Sequence, residues 1–188
     1  MVWALTAAIQ MLRICYTNGS MVTILSGARD AGKTTALKGL FDADHKGDGI
    51  LQLKVFREGR PIGYEVRRLA TGETVPLAFA QKDAPEDWEG DIPHGRFLFS
   101  RRGLEFAYNA VREGLAAGTS PIYIDEIGKM ELNGGGHAPA LKEALSSGRE
   151  LVLAVRDINV EDGMSNTLAL VEAAGRPKFY TRFEQHPT

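Results

Sequence analysis

Two kinds of hydrophobic spacing divide this chain. Short runs of consecutive apolar residues rich in β-branched side chains occur at Met21-Val22-Thr23-Ile24-Leu25, Pro121-Ile122-Tyr123-Ile124 and Leu151-Val152-Leu153-Ala154-Val155. This is the composition of strands buried on both faces of a parallel sheet. Between them, apolar residues recur every three or four positions. Leu37, Leu40 and Phe41 share one face of a helix that starts at Thr34, and Leu104, Tyr108, Val111 and Leu115 form the stripe of a second helix over 102–117. Shorter helices are expected over 140–147 and near 165–174, and a last strand over 177–182. Strands that alternate with helices imply parallel crossovers and a layered α/β sheet.

From Ile50 the period changes to two. Segments 52–56, 61–69 and 74–79 read as strands, separated by turns at 58–60 and 70–73. They predict a small antiparallel β-meander at about 50–80, inserted after the first helix. Residues 42–49 read as a solvated connection. Residues 81–95 read as an acidic irregular loop, placed either on the surface or folded over a bound ligand with Trp88 near that ligand's aromatic base, and 96–100 as a short strand. At the start of the chain Leu5, Ile9, Leu12 and Tyr16 fall on one helical face, with Asn18-Gly19 to end it. Residues 1–20 are read as an extension, either an added helix or an over-long start, and 21–188 as a single domain.

The stretch before the first helix carries the chemistry. Gly27-Ala28-Arg29-Asp30-Ala31-Gly32-Lys33-Thr34, followed by Thr35, matches G-x-x-x-x-G-K-[ST] between a strand and a helix. Glycines there free the backbone to approach phosphate, and successive N–H groups at a helix start bind anions. Lys33 is placed to bridge β- and γ-phosphate oxygens, and the Thr34 hydroxyl to ligate Mg²⁺. Asp30 would face a polyanion, so it is expected to point outward or to pair with Arg29. A second signal closes the 121–124 strand: Asp125-Glu126, an acid positioned to support the metal and a second to polarise water. A layered α/β fold built around this phosphate loop, mainly parallel and with the inserted meander, is the expected architecture.

Composition narrows the partners. The 188 residues carry 22 basic and 24 acidic side chains, a formal charge of −2, so neither nucleic acid nor an anionic membrane is expected as the main partner. Met1 to Tyr16 contains Arg13 and is too short to span a membrane. The lone Cys15 excludes an internal disulfide framework and suits a reducing, cytoplasmic compartment. His45, His94, His137 and His186 show no metal-ligand spacing.

The octapeptide Asp125-Glu126-Ile127-Gly128-Lys129-Met130-Glu131-Leu132 resembles the signature of a family, the small P-loop nucleoside-triphosphatases of thermophilic origin, which includes the vertebrate cancer-related nucleoside-triphosphatase. Arg57-Glu58-Gly59-Arg60-Pro61-Ile62-Gly63-Tyr64 resembles the family's charged hairpin, and Gly95-Arg96-Phe97 the segment before its second helix. Similarity covers about residues 21–156. The resemblance implies Mg²⁺-dependent hydrolysis of ATP, GTP, CTP and UTP alike, with Lys33 and Thr34 on phosphate and metal, Asp125 on the metal and Glu126 as base. It also implies a three-layer P-loop NTPase fold of RecA/AAA-like type, in which another strand separates the P-loop strand from the Asp125 strand. Lys129 would be a further cation on the γ-phosphate. The loop departs from the family, which usually has proline near its start where Ala28-Arg29-Asp30 stands here.

Two other activities remain open on the residues. One is a nucleotide or small-molecule kinase with Arg101 and Arg102 closing over the phosphates. The other is a nucleotide-binding adaptor with negligible turnover, whose meander docks an unknown protein client. A dedicated GTPase is disfavoured, since Gln81-Lys82-Asp83 is the nearest approach to N-K-x-D.

Overall fold

The computed structural model of the chain describes residues 21–156, 176 and 178–183. The expected helix of residues 1–20 and the one near 165–174 lie outside the described residues. Nine strands form one sheet among them: β1 (Val22–Gly27), β2 (Asp48–Arg57), β3 (Arg60–Arg68), β4 (Thr74–Ala80), β5 (Gly90–His94), β6 (Phe97–Ser100), β7 (Ile122–Ile127), β8 (Leu151–Arg156) and β9 (Lys178–Phe183), in the order β5-β6-β4-β3-β2-β7-β8-β1-β9. The pairs β2–β7, β7–β8, β8–β1 and β1–β9 are parallel. The pairs β2–β3, β3–β4, β4–β6 and β6–β5 are antiparallel. The expected meander is therefore not an appendage. It continues the central sheet, because β2 pairs with β7 through Asp48–Ile50 and with β3 along nearly its whole length.

Side-chain alternation sets the layers. Val22 and Ile24 of β1, Ile122 and Ile124 of β7, and Leu151, Leu153 and Val155 of β8 face one core. Leu25, Tyr123, Val152 and Ala154, their neighbours in sequence, face the other. Helix α1 (Lys33–Asp44) covers the second face with Ala36, Leu37 and Leu40. Helices α2 (Arg101–Ala116) and α4 (Ala138–Ser146) cover the first, and the one-turn helix α3 (Lys129–Leu132) follows β7.

Helix α2 begins where Ser100 accepts a hydrogen bond from the Gly103 amide at 3.1 Å, a side-chain N-cap. Of the expected stripe Val111 is fully buried, and small residues make the rest of the closest face. Gly103, Ala107, Ala110, Val111 and Gly114 are buried, whereas Leu104, Tyr108 and Leu115 sit at the margin of the core. Small residues bring the helix axis against the sheet: a Cβ on Gly103 would lie 2.6 Å from the Pro76 carbonyl oxygen.

The 42–49 segment is solvated over residues 42–46, as expected, but not at its end. Helix α1 runs to Asp44 and β2 starts at Asp48, which is buried. Asp48 pairs with Arg68 at 2.7 Å and accepts the amides of Gly49 and Ala70. Residues 81–95 contain a 3₁₀ turn over Gln81–Asp83 and the edge strand β5. Trp88 is fastened inside this segment, edge-on to Phe79 at 4.8 Å and donating to the Leu98 carbonyl at 3.2 Å.

Two expectations follow. Gly103→Val should lower unfolding stability by about 2 kcal/mol or more, read by urea denaturation, because the backbone it meets cannot step aside. Separately, burial pushes the Glu150 carboxyl, just ahead of β8, up to about 7 from its usual 4.5. Between those values the folded chain holds a proton that the unfolded chain has released, so this group's contribution to stability falls as pH rises from about 4.5 to about 7 and is flat outside that window. Glu150→Gln should flatten that part of the pH–stability curve measured by denaturant midpoints.

Candidate active site

β1, its loop and α1 build the phosphate-binding end. Gly32 takes φ +91° and opens α1, a conformation that costs glycine little and L residues more. Gly27 is required for a different reason. A Cβ there would stand 2.6 Å from the Phe183 carbonyl oxygen of β9, so the loop starts in close backbone contact with the neighbouring strand. Lys33 is buried and donates to the loop's own carbonyls, Gly27 at 3.0 Å and Ala28 at 2.7 Å.

The two charged loop residues are tied across the sheet. Arg29 donates to the Tyr64 hydroxyl of β3 at 2.8 Å. Asp30, at φ +65°, pairs with Lys54 of β2 and not with Arg29. Its carboxyl is held below the usual range, first by the Lys54 hydrogen bond.

β8 lies between β1 and β7, so Asp125 comes from the strand one place removed from the P-loop strand. At the end of β7 the register with β8 slips. Ile124 pairs with Leu153 and Ile127 with Val155, which sets Asp125 and Glu126 together opposite Ala154. This is a β-bulge, and Glu126 sits in it at φ +63°. In a regular strand adjacent side chains diverge by half a turn, whereas the bulge re-aims the second acid. Asp125 faces the α1 side, has no exposure, and accepts the Gln52 amide at 3.1 Å through Oδ2. Glu126 lines a cavity of about 330 Å³ together with Lys33, Thr34, Lys54, Tyr64 and Arg156.

Burial pushes the Asp125 carboxyl up to about 6, against the opposing pull of the Thr34 hydroxyl, the Gln52 amide, Lys33 and Arg156. Its Oδ1 is buried with no hydrogen-bond partner. A buried carboxylate oxygen without a donor, beside a threonine hydroxyl at a helix start, is the donor set that a hard divalent cation takes. Thr34 and Asp125 thus fit Mg²⁺.

An NTPase family profile matches residues 22–175. That stretch is most of the chain and contains both acidic and phosphate-loop elements of the cavity. The chain belongs to the NTPase family. It is 34% identical over 146 residues to nucleoside-triphosphatase THEP1 of Methanosarcina acetivorans, covering 77% of this chain and 75% of the relative. It is 29% identical over 136 residues to nucleoside-triphosphatase THEP1 of Thermococcus kodakarensis, covering 70% and 73%. The solution structure of a human cancer-related nucleoside triphosphatase superposes with a TM-score of 0.62 at 21% identity, covering 88% of this chain and 89% of that one, a likeness of fold.

Within this family fold the expected site residues divide into groups. Arg29, Asp30, Gly32, Lys33, Thr34, Thr35 and Glu126 line the main cavity, and Asp125 lies buried against it. Lys129 is set apart. It is exposed at the start of α3 and lines a smaller recess of about 80 Å³, which shares Glu126, Arg156 and Tyr64 with the main cavity. Arg101 pairs with Asp91 of β5 at 2.8 Å, and neither it nor Arg102 lines the main cavity.

Three site residues were not singled out by sequence reasoning. Lys54 and Tyr64 belong to the antiparallel strands, where alternation alone marks them as one face of a hairpin. Arg156 ends β8, and its signal is a charge directly after an apolar strand that flanks the P-loop strand. Glu131 has a positioning part. Its carboxylate accepts the Gly128 amide at 2.8 Å and the His137 amide at 3.0 Å, tethering the glycine turn 134–136 to the exit of β7.

Asp125→Asn keeps an acceptor for the Gln52 amide and removes a buried charge. In metal-free buffer this variant should unfold at the wild-type temperature or higher. The rise in melting temperature that Mg²⁺ produces in the wild type should be absent from it, as followed by differential scanning calorimetry.

Proposed function

We propose that this protein hydrolyses nucleoside triphosphates to the diphosphate and phosphate, with Mg²⁺ and with little discrimination among ATP, GTP, CTP and UTP. The observation that carries this reading is the bulge at the end of β7. It delivers two consecutive acids to one site, one buried beside Thr34 and one facing the cavity at the phosphate loop. The names of the two relatives agree with it.

In this reading the polyphosphate lies along the loop amides and the N-terminus of α1. Lys33 leaves the Gly27 and Ala28 carbonyls and turns its ammonium to the β- and γ-phosphate oxygens. Held by Thr34 and Asp125, Mg²⁺ supplies charge neutralisation on the phosphate oxygens. A water on the far side of the γ-phosphorus forms the new P–O bond, and Glu126 takes its proton. The bond to the β–γ bridging oxygen breaks and the diphosphate leaves. Lys129 approaches from the recess beyond Glu126 and offsets charge on the transferred group.

Breadth of base use has its own support. The cavity is lined by charged and polar groups suited to phosphate, and Trp88, the aromatic candidate for stacking on a base, is engaged with Phe79 and Leu98. Of the two arginines offered by the kinase alternative, Arg101 pairs with Asp91, and neither it nor Arg102 lines the main cavity. Among the described residues no helix is long and apolar enough to cross a membrane. Action in a reducing cytoplasm, with a protein client downstream, completes the proposal.

Phosphate release from the four triphosphates with Mg²⁺ tests it. Comparable rates on all four are expected. Glu126→Gln should bind nucleotide as well as wild type and turn over at least about a hundredfold more slowly. Lys33→Ala should lose nucleotide affinity. Unchanged turnover in Glu126→Gln would remove that residue from the mechanism.

A further inference from the structure

We infer that the recess beyond Glu126 is a second ligand site, built for a small aromatic carboxylate, and that its occupant shuts off hydrolysis in the neighbouring cavity. The shut-off rests on the hydrolase reading above. The site itself rests on its own walls.

The recess differs from the phosphate site in chemistry. None of Gly32, Lys33, Thr34 or Thr35 lines it, although it borders the main cavity at Glu126 and Tyr64. One wall comes from the antiparallel half of the sheet. Phe97 and Phe99 alternate with Leu98 along β6 and both line the recess. Cross-strand pairing sets Tyr64 beside Ala78 and Ala78 beside Phe99, so a methyl group separates two rings in that row. In the next row His94 is opposite Phe97. The rings hold one another in place, with Tyr64 tilted on Phe97 at 5.1 Å and His94 edge-on to Phe99 at 6.2 Å. Arg96 stacks on Phe97 at 4.9 Å.

Hydrolysis needs no such wall. A bound water takes about three polar partners, whereas ring faces favour a flat apolar body. The recess holds about 80 Å³, far less than a drug-sized ligand fills, which limits the occupant to a single ring. The charge of that ligand follows from the other wall, where the bulge and α3 supply the ionic groups. Glu131 is engaged by the Gly128 and His137 amides, and Glu126 by Arg156. Lys129 is exposed on the rim and forms no ion pair among the described residues. An ammonium on the rim of a ring-lined recess selects an anionic substituent, and a carboxylate on a ring meets both demands.

Once seated, the ring occupies the side of Glu126 from which water and Lys129 reach the γ-phosphorus during hydrolysis. Its body displaces the water and its carboxylate keeps Lys129 from the transferred group. Gly32, Lys33 and Thr34 are untouched, so nucleotide still binds. Inhibition of this kind lowers kcat and leaves KM unchanged.

The test begins without nucleotide. Benzoate, the uncharged benzamide and the ringless acetate would each be titrated into isotope-labelled protein, with backbone amide shifts followed by NMR. Benzoate should bind with a dissociation constant on the order of millimolar, as suits so small a ligand, and should move amides at 94–99 and 128–131. Benzamide and acetate should each bind about tenfold more weakly. Lys129→Met should weaken benzoate about fivefold and leave benzamide unchanged. Phe97→Leu keeps the bulk without the flat face and should weaken both. Melting temperatures would establish that each variant is folded. Acetate binding as well as benzoate would mark a bare anion site, and benzamide binding as well would mark an apolar pocket; either overturns the proposal.

Phosphate release from ATP then reads the second half. Saturating benzoate should lower kcat at least about fivefold at constant KM in the wild type. Phe97→Leu should show the same basal rate and lose that sensitivity. Bound benzoate with undiminished kcat would overturn the shut-off. If benzoate binds as expected and no triphosphate is turned over with or without it, the hydrolase reading fails and the ligand site stands.

Discussion

The site is organised by the cost of placing a carboxylate where water does not reach. Asp125 has no exposure, one oxygen bonded to the Gln52 amide and the other without a partner. In a core of Ile122, Tyr123 and Ile124 such a group is expensive unless positive charge is close. The surrounding structure is laid out accordingly, with Lys33 and Thr34 at the start of α1 and Arg156 at the end of β8 all acting on it. The bulge that follows is tied to the same need. It allows the chain to place one acid inward and immediately present another to the cavity, at the expense of a positive φ at a residue that is not glycine.

A second level of organisation joins the parallel and antiparallel halves of the sheet. The phosphate loop belongs to the parallel half, yet Arg29 and Asp30 are held by Tyr64 and Lys54 of the β2–β3 hairpin. The hairpin itself turns tightly through Glu58 and Gly59, both at positive φ. Its strands are held in register with β7 and β4, so these contacts reach the loop from a firm base. This explains how a loop with two opposite charges keeps a defined shape: from across the sheet Lys54 ion-pairs with Asp30 and the Tyr64 hydroxyl accepts from Arg29.

Much of this was legible in the sequence, and the limits have physical reasons. Apolar runs and the glycine–lysine motif marked β1, β7, β8, the phosphate loop and α1, because burial on both faces and the anion site each demand particular residues. The stripe of α2 misled, since Leu104 and Leu115 are the larger apolar side chains but Gly103, Ala107 and Gly114 make the close approach. Hydrophobicity reports size, and contact with a sheet here rewards its lack. Asp48 and Trp88 were placed as loop residues because their partners, Arg68 and Phe79, are distant in sequence. The bulge was invisible for a similar reason: Asp125-Glu126 reads the same in a regular strand, and only the slip against Val155 sets both acids opposite Ala154.

The position of β1 bears on how the chain acquires its site as it is made. That strand is flanked by β8 and β9, and the carbonyl of Phe183 occupies the space next to Gly27. Both lateral supports of the phosphate loop come more than a hundred residues after it in the chain. Parallel pairings between such remote segments form late, after loop-closure entropy has been overcome. The antiparallel half, whose strands are neighbours in sequence, can assemble first and offer Tyr64 and Lys54 as a mould. A chain in which β9 has not yet docked would carry the whole phosphate-loop motif without the wall that shapes it.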